Sequence, residues 1–405
     1  LAIDGDIADT IKDESKEGEV THFQALATAV SGTVGNGNIA GVALAIALGG
    51  PGATFWMVVC GFLGMSTKFV ECTLGVQYRD VGEDGTVYGG PMYYISKGLK
   101  ERGFEVFGKI TAIIFAIFCI GGSFGGGNAA QSNQATLVLK ELMGLESTGA
   151  GFWIGVIMAI VVGIIIIGGI KRIASVTEKV VPFMALLYLL ACLYILGANF
   201  SLIDDAFSLI FREAFNPTAI GVGGVIGVLL VGFKRAAFSN EAGAGSASIA
   251  HSAVKTKYSA SEGLVALLEP FIDTVVICTM TALVIIIFNF GGDASGASIF
   301  QYGGDGAGAV LIDGVSYEGA GITSKAFAQY IPYSNVFLTV AVVLFAVSTM
   351  ISWSYYGLQS WKFLFGRGKA ADMAYKLLFL LFVIIGASAS MNSIWAFSDA
   401  MIFAM

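Results

Sequence analysis

The 405-residue chain is 56% hydrophobic and 13% charged, with a formal net charge of −7 and a mean hydropathy of +0.79. A water-soluble globule carries about 25% charged residues to make its polar skin, and this chain lacks them, so lipid is the solvent its composition fits. No basic tract offers a surface for nucleic acid. The five cysteines sit inside apolar runs without metal-ligand spacing, and His22 and His251 are far apart in the chain. That composition speaks against a disulfide framework and a metal-dependent hydrolase alike.

A bilayer core of about 30 Å takes roughly 20 apolar residues per helix, and ten such spans can be read. Residues 1–21 are charged and expected to form a cytoplasmic segment, with 22–405 a transmembrane domain. Span 1 covers about 22–49, span 2 about 51–79, span 3 about 107–140, span 4 about 151–169 and span 5 about 174–199. An amphipathic segment at 201–215 follows. Span 6 starts near Ala219, span 7 covers about 262–290, span 8 about 334–364, span 9 about 371–390, and span 10 starts near Ile394. The stretch from 291 to 332 is too long for a simple connection. The chain opens at Leu1 and stops within an apolar run, Ala396 to Met405; a piece of a longer protein is the expectation.

Lys and Arg placement sets the orientation. With the N-terminus in the cytoplasm, the inner loops collect Lys97, Lys100, Arg102, Lys171, Arg172, Lys255, Lys257, Arg367 and Lys369. The outer loops hold little beyond Lys140, Arg212 and Lys325 and collect acids instead: Asp204, Asp205, Asp293, Asp305, Asp313 and Glu318.

Two spans carry glycine interruptions. Span 1 contains Ser31, Gly35, Asn36, Gly37 and Asn38, and span 6 repeats Ser239, Gly243 and Gly245 at the same spacing, about half the chain later. Glycine inside a helix costs about 1 kcal/mol against alanine. Unwound backbone at membrane depth is tolerated only where it is buried or lines a cavity. Paired interruptions in two halves, here about 22–200 and 216–405, point to the site of an inverted-repeat transporter. The break in span 6 is expected between Gly232 and Gly245. Each break exposes N–H groups on one side and carbonyls on the other. An amino acid zwitterion uses both. Close helix packing through Gly37 and Gly41 is the alternative reading of the first break.

Other polar residues lie at the same depth. Ser348 and Thr349 in span 8 offer two hydroxyls to a small cation, or bond back to their own helix. Gln131 is the first choice in span 3 for touching a substrate. Lys234, Arg235 and Glu241 are expected to neutralise one another, Lys68 to pair with Glu71, and Glu269 and Asp273 to share a face of span 7. No nucleophile–base constellation marks an enzyme.

The stretches Thr33–Val42, Gly49–Trp56, Gly89–Tyr94, Phe238–Gly243 and Trp353–Gly357 resemble the alanine/glycine:cation symporter family of the amino acid–polyamine–organocation superfamily. That resemblance implies an all-α fold, the five-plus-five inverted repeat of sodium-coupled leucine transporters with broken first and sixth helices. It further implies Na+-driven import of alanine or glycine, with no cofactor beyond Na+, by a monomer in the plasma membrane. The implied Na+ ligands are the carbonyls of Ser31, Val34 and Phe345 and the hydroxyls of Ser348 and Thr349. The implied substrate site takes Gly35, Asn36, Gly37, Asn38, Gln131, the span 6 break at Phe238, Ser239 and Asn240, and Trp353. The family commonly has Thr or Leu where this chain has Asn36. An H+-coupled carrier for another small amino acid such as serine, and a channel, are the alternative readings.

Overall fold

The computed structural model describes residues 18–147, 149–217, 223–291, 298–303, 306 and 308–405. Asp293, Asp305, Ala219 and most of the segment 1–21 lie outside them. The helices in chain order are α1 (His22–Thr33), α2 (Val42–Gly49), α3 (Gly52–Gln77), α4 (Pro91–Glu101), α5 (Glu105–Phe124), α6 (Ala130–Met143), α7 (Ala150–Ile166), α8 (Gly169–Ala198) and α9 (Ile203–Phe215). They continue as α10 (Gly224–Asn240), α11 (Ala247–His251), α12 (Ser259–Ala266), α13 (Leu268–Pro270), α14 (Thr279–Asn289), α15 (Ala320–Tyr330), α16 (Ser334–Phe365), α17 (Lys369–Ser388) and α18 (Met391–Phe403).

Among the described residues, six helices are long and apolar enough to cross a membrane, or seven when α1 and α2 count as one bent span. Three of the ten expected spans are shorter: α7, the α10–α11 pair and α18. The polarity of the fold is inverted relative to a soluble protein. Ile110, Ile113, Ile114 and Ile117 on α5 and Phe183, Leu186, Leu190 and Leu193 on α8 face outward, whereas Lys68, Glu262, Glu269, Asp273 and His251 are wholly buried. An exterior of this kind is solvated by lipid, and ionisable groups then go to the interior. The chain is a multi-pass membrane protein.

The two interruptions form for different reasons. Helix α1 starts at a capping box, in which Thr21 Oγ1 accepts from the Gln24 N–H and Gln24 Oε1 from the Thr21 N–H. It stops at Thr33, and Val34 turns extended at φ −72°, ψ 91°. A π-helical turn at Gly37–Gly41 leads into α2, 48° away from α1. Gly35 is needed here for space: a Cβ would lie 2.3 Å from Thr349 Oγ1. In span 6, α10 runs unbroken past Gly232 to Asn240, so the break is Glu241–Ser246 and shorter than expected. Gly232 instead packs on α3, where a Cβ would meet the Ala53 carbonyl at 2.6 Å. Glu241, Gly243 and Gly245 adopt φ of 56°, 96° and 77°, a region glycine enters freely and glutamate rarely.

The long stretch after α14 is a structured cover. A hairpin of β3 (Val310–Ile312) and β4 (Val315–Tyr317) precedes α15; a second short hairpin, β1 (Asp80–Val81) and β2 (Val87–Tyr88), follows α3. Helix α15 lies over the first break, where Thr323 donates to the Ile39 carbonyl at 3.0 Å and the Ala320 N–H reaches Gln134 Oε1 at 3.3 Å. Small residues set the other helix contacts. A Cβ on Gly386 of α17 would sit 2.5 Å from both the Cα and the carbonyl oxygen of Ala129. Because backbone must move to admit it, Gly386→Ala is expected to cost about 1–3 kcal/mol, read as a lowered unfolding temperature in detergent; an unchanged temperature contradicts the packing described.

Candidate functional site

The two breaks meet at the centre of the helix bundle, with α16 and the start of α6 beside them. A small cavity there is lined by Gly32, Thr33 and Gly37 of span 1, Gly126 and Gln131 of span 3, Phe238 and Glu241 of span 6, Thr349 and Trp353 of α16, and Ile402 of α18. Its volume is about 10 Å3, the room of one water molecule. Admitting an amino acid therefore requires lining side chains to move.

Gln131 holds the first break shut from the span 3 side. Its Oε1 accepts from the Asn36 N–H at 3.1 Å, its Nε2 donates to the Gly126 carbonyl at 2.9 Å, and its own carbonyl accepts from Asn36 Nδ2 at 3.2 Å. Gly35 and Gly37 stand at the break as expected. Asn38, Ser239 and Asn240 are not among the residues that line the cavity. Asn38 Nδ2 and Ser239 Oγ donate to Asp273 Oδ1 at 2.6 and 3.2 Å, and Asn240 Nδ2 donates to Thr274 Oγ1 at 3.0 Å. These three side chains fasten the breaks to the π-helical segment Phe271–Cys278.

The residues expected to hold a cation sit together where α1 passes α16. Ser31 Oγ donates to the Ser348 carbonyl at 2.8 Å, and Ser348 Oγ donates to the Phe345 carbonyl at 3.0 Å. Thr349 Oγ1 is buried and without a hydrogen-bond partner. The Gly35 N–H, which an unbroken helix would direct at Ser31, bonds Asn38 Oδ1 at 2.8 Å. The Asn38 N–H, which would pair with Val34, bonds the Gly35 carbonyl at 3.1 Å. The break therefore diverts the helical donors of two carbonyls beside an orphaned hydroxyl, and an oxygen-rich corner of this kind suits a small hard cation.

Against this geometry, the comparisons with known proteins are direct. The profile of the sodium:alanine symporter family matches residues 6–405. This chain belongs to that family. It is 41% identical to the sodium/alanine symporter AgcS of Methanococcus maripaludis, over 97% of this chain and 81% of that protein. It is 32% identical to a sodium/proton-dependent alanine carrier protein of a Bacillus species, over 95% and 83% of the two. In fold it resembles MhsT, solved with L-phenylalanine, with a TM-score of 0.61 at 15% identity over 92% of this chain and 81% of MhsT. The manganese transporter of Eremococcus coleocola gives a TM-score of 0.60 at 13% identity over 97% of this chain and 80% of that one.

For this member of the sodium:alanine symporter family, the structure rewrites the expected ion pairs. Lys234 and Arg235 both bond Asp399 of α18, at 2.8 and 2.7 Å, and not Glu241. Lys68 bonds Glu269 at 3.2 Å and not its helical neighbour Glu71, whose Oε1 accepts the Gly243 N–H at 2.8 Å. Each replacement follows from reach across the bundle, where a partner from another helix comes nearer than the one close in sequence. The site residue that sequence reasoning left aside is Glu241. Its carboxylate accepts from Trp353 Nε1 at 2.7 Å and from the Ser246 hydroxyl, and no Lys or Arg shares the cavity with it. A glutamate two residues before a glycine expected to break a helix at membrane depth was the signal available. Trp353→Phe leaves Glu241 Oε1 a buried acceptor without its donor, and a loss of about 1–3 kcal/mol is expected. Thermal unfolding of the variant at wild-type temperature would show that the bond contributes nothing.

Proposed function

We propose that this symporter carries alanine or glycine together with Na+ through the cavity between its two broken helices, by alternating access. The observation that carries the reading is the composition of that cavity. It joins backbone from the first break to a buried carboxylate at the second, with an apolar wall of Phe238, Trp353 and Ile402 between them. The substrate carboxylate would take the N–H groups from Gly35 to Asn38, displacing the Gln131 amide from Asn36. Its ammonium would face Glu241. The closeness of the walls supports a side chain of hydrogen or methyl. Na+ would lie among the Ser31, Val34 and Phe345 carbonyls and the Ser348 and Thr349 hydroxyls, one turn from the substrate.

Coupling follows from the shared backbone. Filling the cation corner fixes the conformation of Val34 and Gly35, and those residues shape the substrate end of the same break. The cation thus binds first and prepares the site, which lowers the ordering cost of the second ligand. The bond from Trp353 on α16 to Glu241 crosses between the parts that would rock against each other, the first helices of each half against the rest; the halves, about 22–200 and 216–405, would be related as an inverted repeat. The carrier would act as a monomer in the plasma membrane with a cytoplasmic N-terminus, an orientation that the Lys and Arg distribution supports.

Ser348→Ala combined with Thr349→Ala is expected to abolish Na+-stimulated alanine uptake into proteoliposomes while leaving the protein folded; uptake that still rises with Na+ as in the wild type sinks the cation assignment. Once displaced, the Gln131 amide would turn its Nε2 donor to the substrate carboxylate, so Gln131→Ala is expected to weaken alanine binding about tenfold, equivalent to about 1.4 kcal/mol. Titration calorimetry in saturating Na+ measures it, and an unchanged affinity removes Gln131 from the substrate site.

A further inference from the structure

Away from the cavity, toward the His22 end of the bundle, lies a set of ionisable side chains that the proposed transport site does not use. His22 opens α1, Lys68 lies on α3, His251 closes α11, and Glu262 and Glu269 stand on α12 and α13. Lys68, His251, Glu262 and Glu269 are fully buried and His22 is nearly so. They form one line. The two histidines each place Nδ1 against a different oxygen of Glu262, His251 at 2.5 Å. On the other side of its ring, His251 Nε2 faces Glu269 Oε2 at 3.9 Å. The second oxygen of Glu269 accepts from Lys68 Nζ at 3.2 Å.

Matching donors to acceptors along this line fixes where a proton is needed. A carboxylate only accepts, so each Nδ1 carries a hydrogen. A neutral imidazole protonated at Nδ1 is a bare acceptor at Nε2. For His251, that lone pair would point at the lone pairs of Glu269 Oε2, and neither atom has another hydrogen-bond partner. Two desolvated acceptors facing each other are unfavourable twice over, since each has lost water and gained nothing. One proton on Nε2 turns the same contact into an ion pair at 3.9 Å, attractive where the neutral ring gives only two facing lone pairs. The charges then alternate along the line: Lys68 positive, Glu269 negative, His251 positive, Glu262 negative, with neutral His22 at its end.

The surrounding groups give no substitute cation. Glu71 on α3 is acidic and bonds the Gly243 N–H; Cys72 on the same helix, Tyr356 on α16, Glu241 at the second break and Asp273 of span 7 are other titratable groups in electrostatic reach of these carboxylates, and none of them is a cation. Among the described residues His22 Nε2 has no hydrogen-bond partner, so none of them holds a second proton there.

We propose that His251 is a proton-binding site, held as an imidazolium between Glu262 and Glu269. The proton ties the short half of span 6 to span 7, and through Glu262 to the first residue of span 1. Those are the halves of the two broken helices that reach the same face of the bundle. Losing the proton sets two acceptors against each other at that contact, so deprotonation and separation of α11 from α13 favour one another.

The chain contains two histidines in all, which makes the site directly observable. The full chain, produced with 15N-histidine, purified without a polyhistidine tag and reconstituted in lipid, gives two ring systems by solid-state NMR. At neutral pH one ring is expected with both nitrogens protonated and the other neutral with the hydrogen on Nδ1. The imidazolium pattern is expected to persist in His22→Gln and to vanish in Glu269→Gln, which removes the charge that holds the proton. Two neutral rings in the wild type, or an imidazolium pattern that disappears in His22→Gln and survives Glu269→Gln, overturns the proposal. The readout involves neither Na+ nor amino acid, so its failure is separate from any failure of the transport assignment.

Discussion

In a lipid-solvated protein every main-chain N–H and carbonyl must find a partner inside the protein, and the rest of this structure depends on how that is met at two helix breaks. At the first break Asn38 turns its side chain back to the Gly35 N–H, and Gln131 takes the Asn36 N–H. At the second, Glu71 reaches from α3 to the Gly243 N–H, and Asn240 caps Ala242. Each of these is a polar side chain buried in a bundle whose outer surface is apolar. The breaks therefore explain why so many amides and carboxylates are inside, and the amides and carboxylates explain why the breaks are stable.

That exchange has a functional consequence. Groups that satisfy a break by side-chain bonds, and not by a helical ladder, can be replaced one at a time by a ligand. Gln131 at Asn36 is the clearest case, because a carboxylate offers the same acceptor with a charge. Thr349 is the complementary case: its hydroxyl waits unpartnered next to a break whose carbonyls have lost their helical donors. Burial here preserves binding capacity that a complete helix would have consumed.

The buried ionisable groups divide into two systems with different duties. Asp273 gathers Asn38, Ser239 and Thr274, and so fixes both breaks to span 7. The line from Lys68 to His22 does the same for the ends of four spans with charges in alternation. In the second system each charge faces an opposite one, whereas Asp273 is held by neutral donors alone. Pairing in the one and hydrogen bonding in the other answer the cost of an ion in a dry interior. The strained backbone of Glu241, at φ 56°, falls between them and beside the cavity.

Sequence alone determined the solvent, the positions of most spans and the first break, because these depend on composition and on glycine and asparagine at membrane depth. Span limits agree within a few residues: span 8 was expected at about 334–364 and α16 covers Ser334–Phe365. Ser348 and Thr349 were likewise legible as hydroxyls at membrane depth, open to a cation or to their own helix, and Ser348 donates to its own helix at the Phe345 carbonyl. What the sequence left open was direction. Asn38 and Asn240 look like cavity residues in a list, yet they face Asp273 and Thr274, since a helical position gives depth and not the azimuth set by neighbouring helices. Lys68 and Glu71 are one turn apart and do not pair, because a bundle brings Glu269 nearer from another helix. His22 and His251 are separated by most of the chain and share one carboxylate. Such partnerships are decided by packing between helices distant in sequence, and only the tertiary structure contains it.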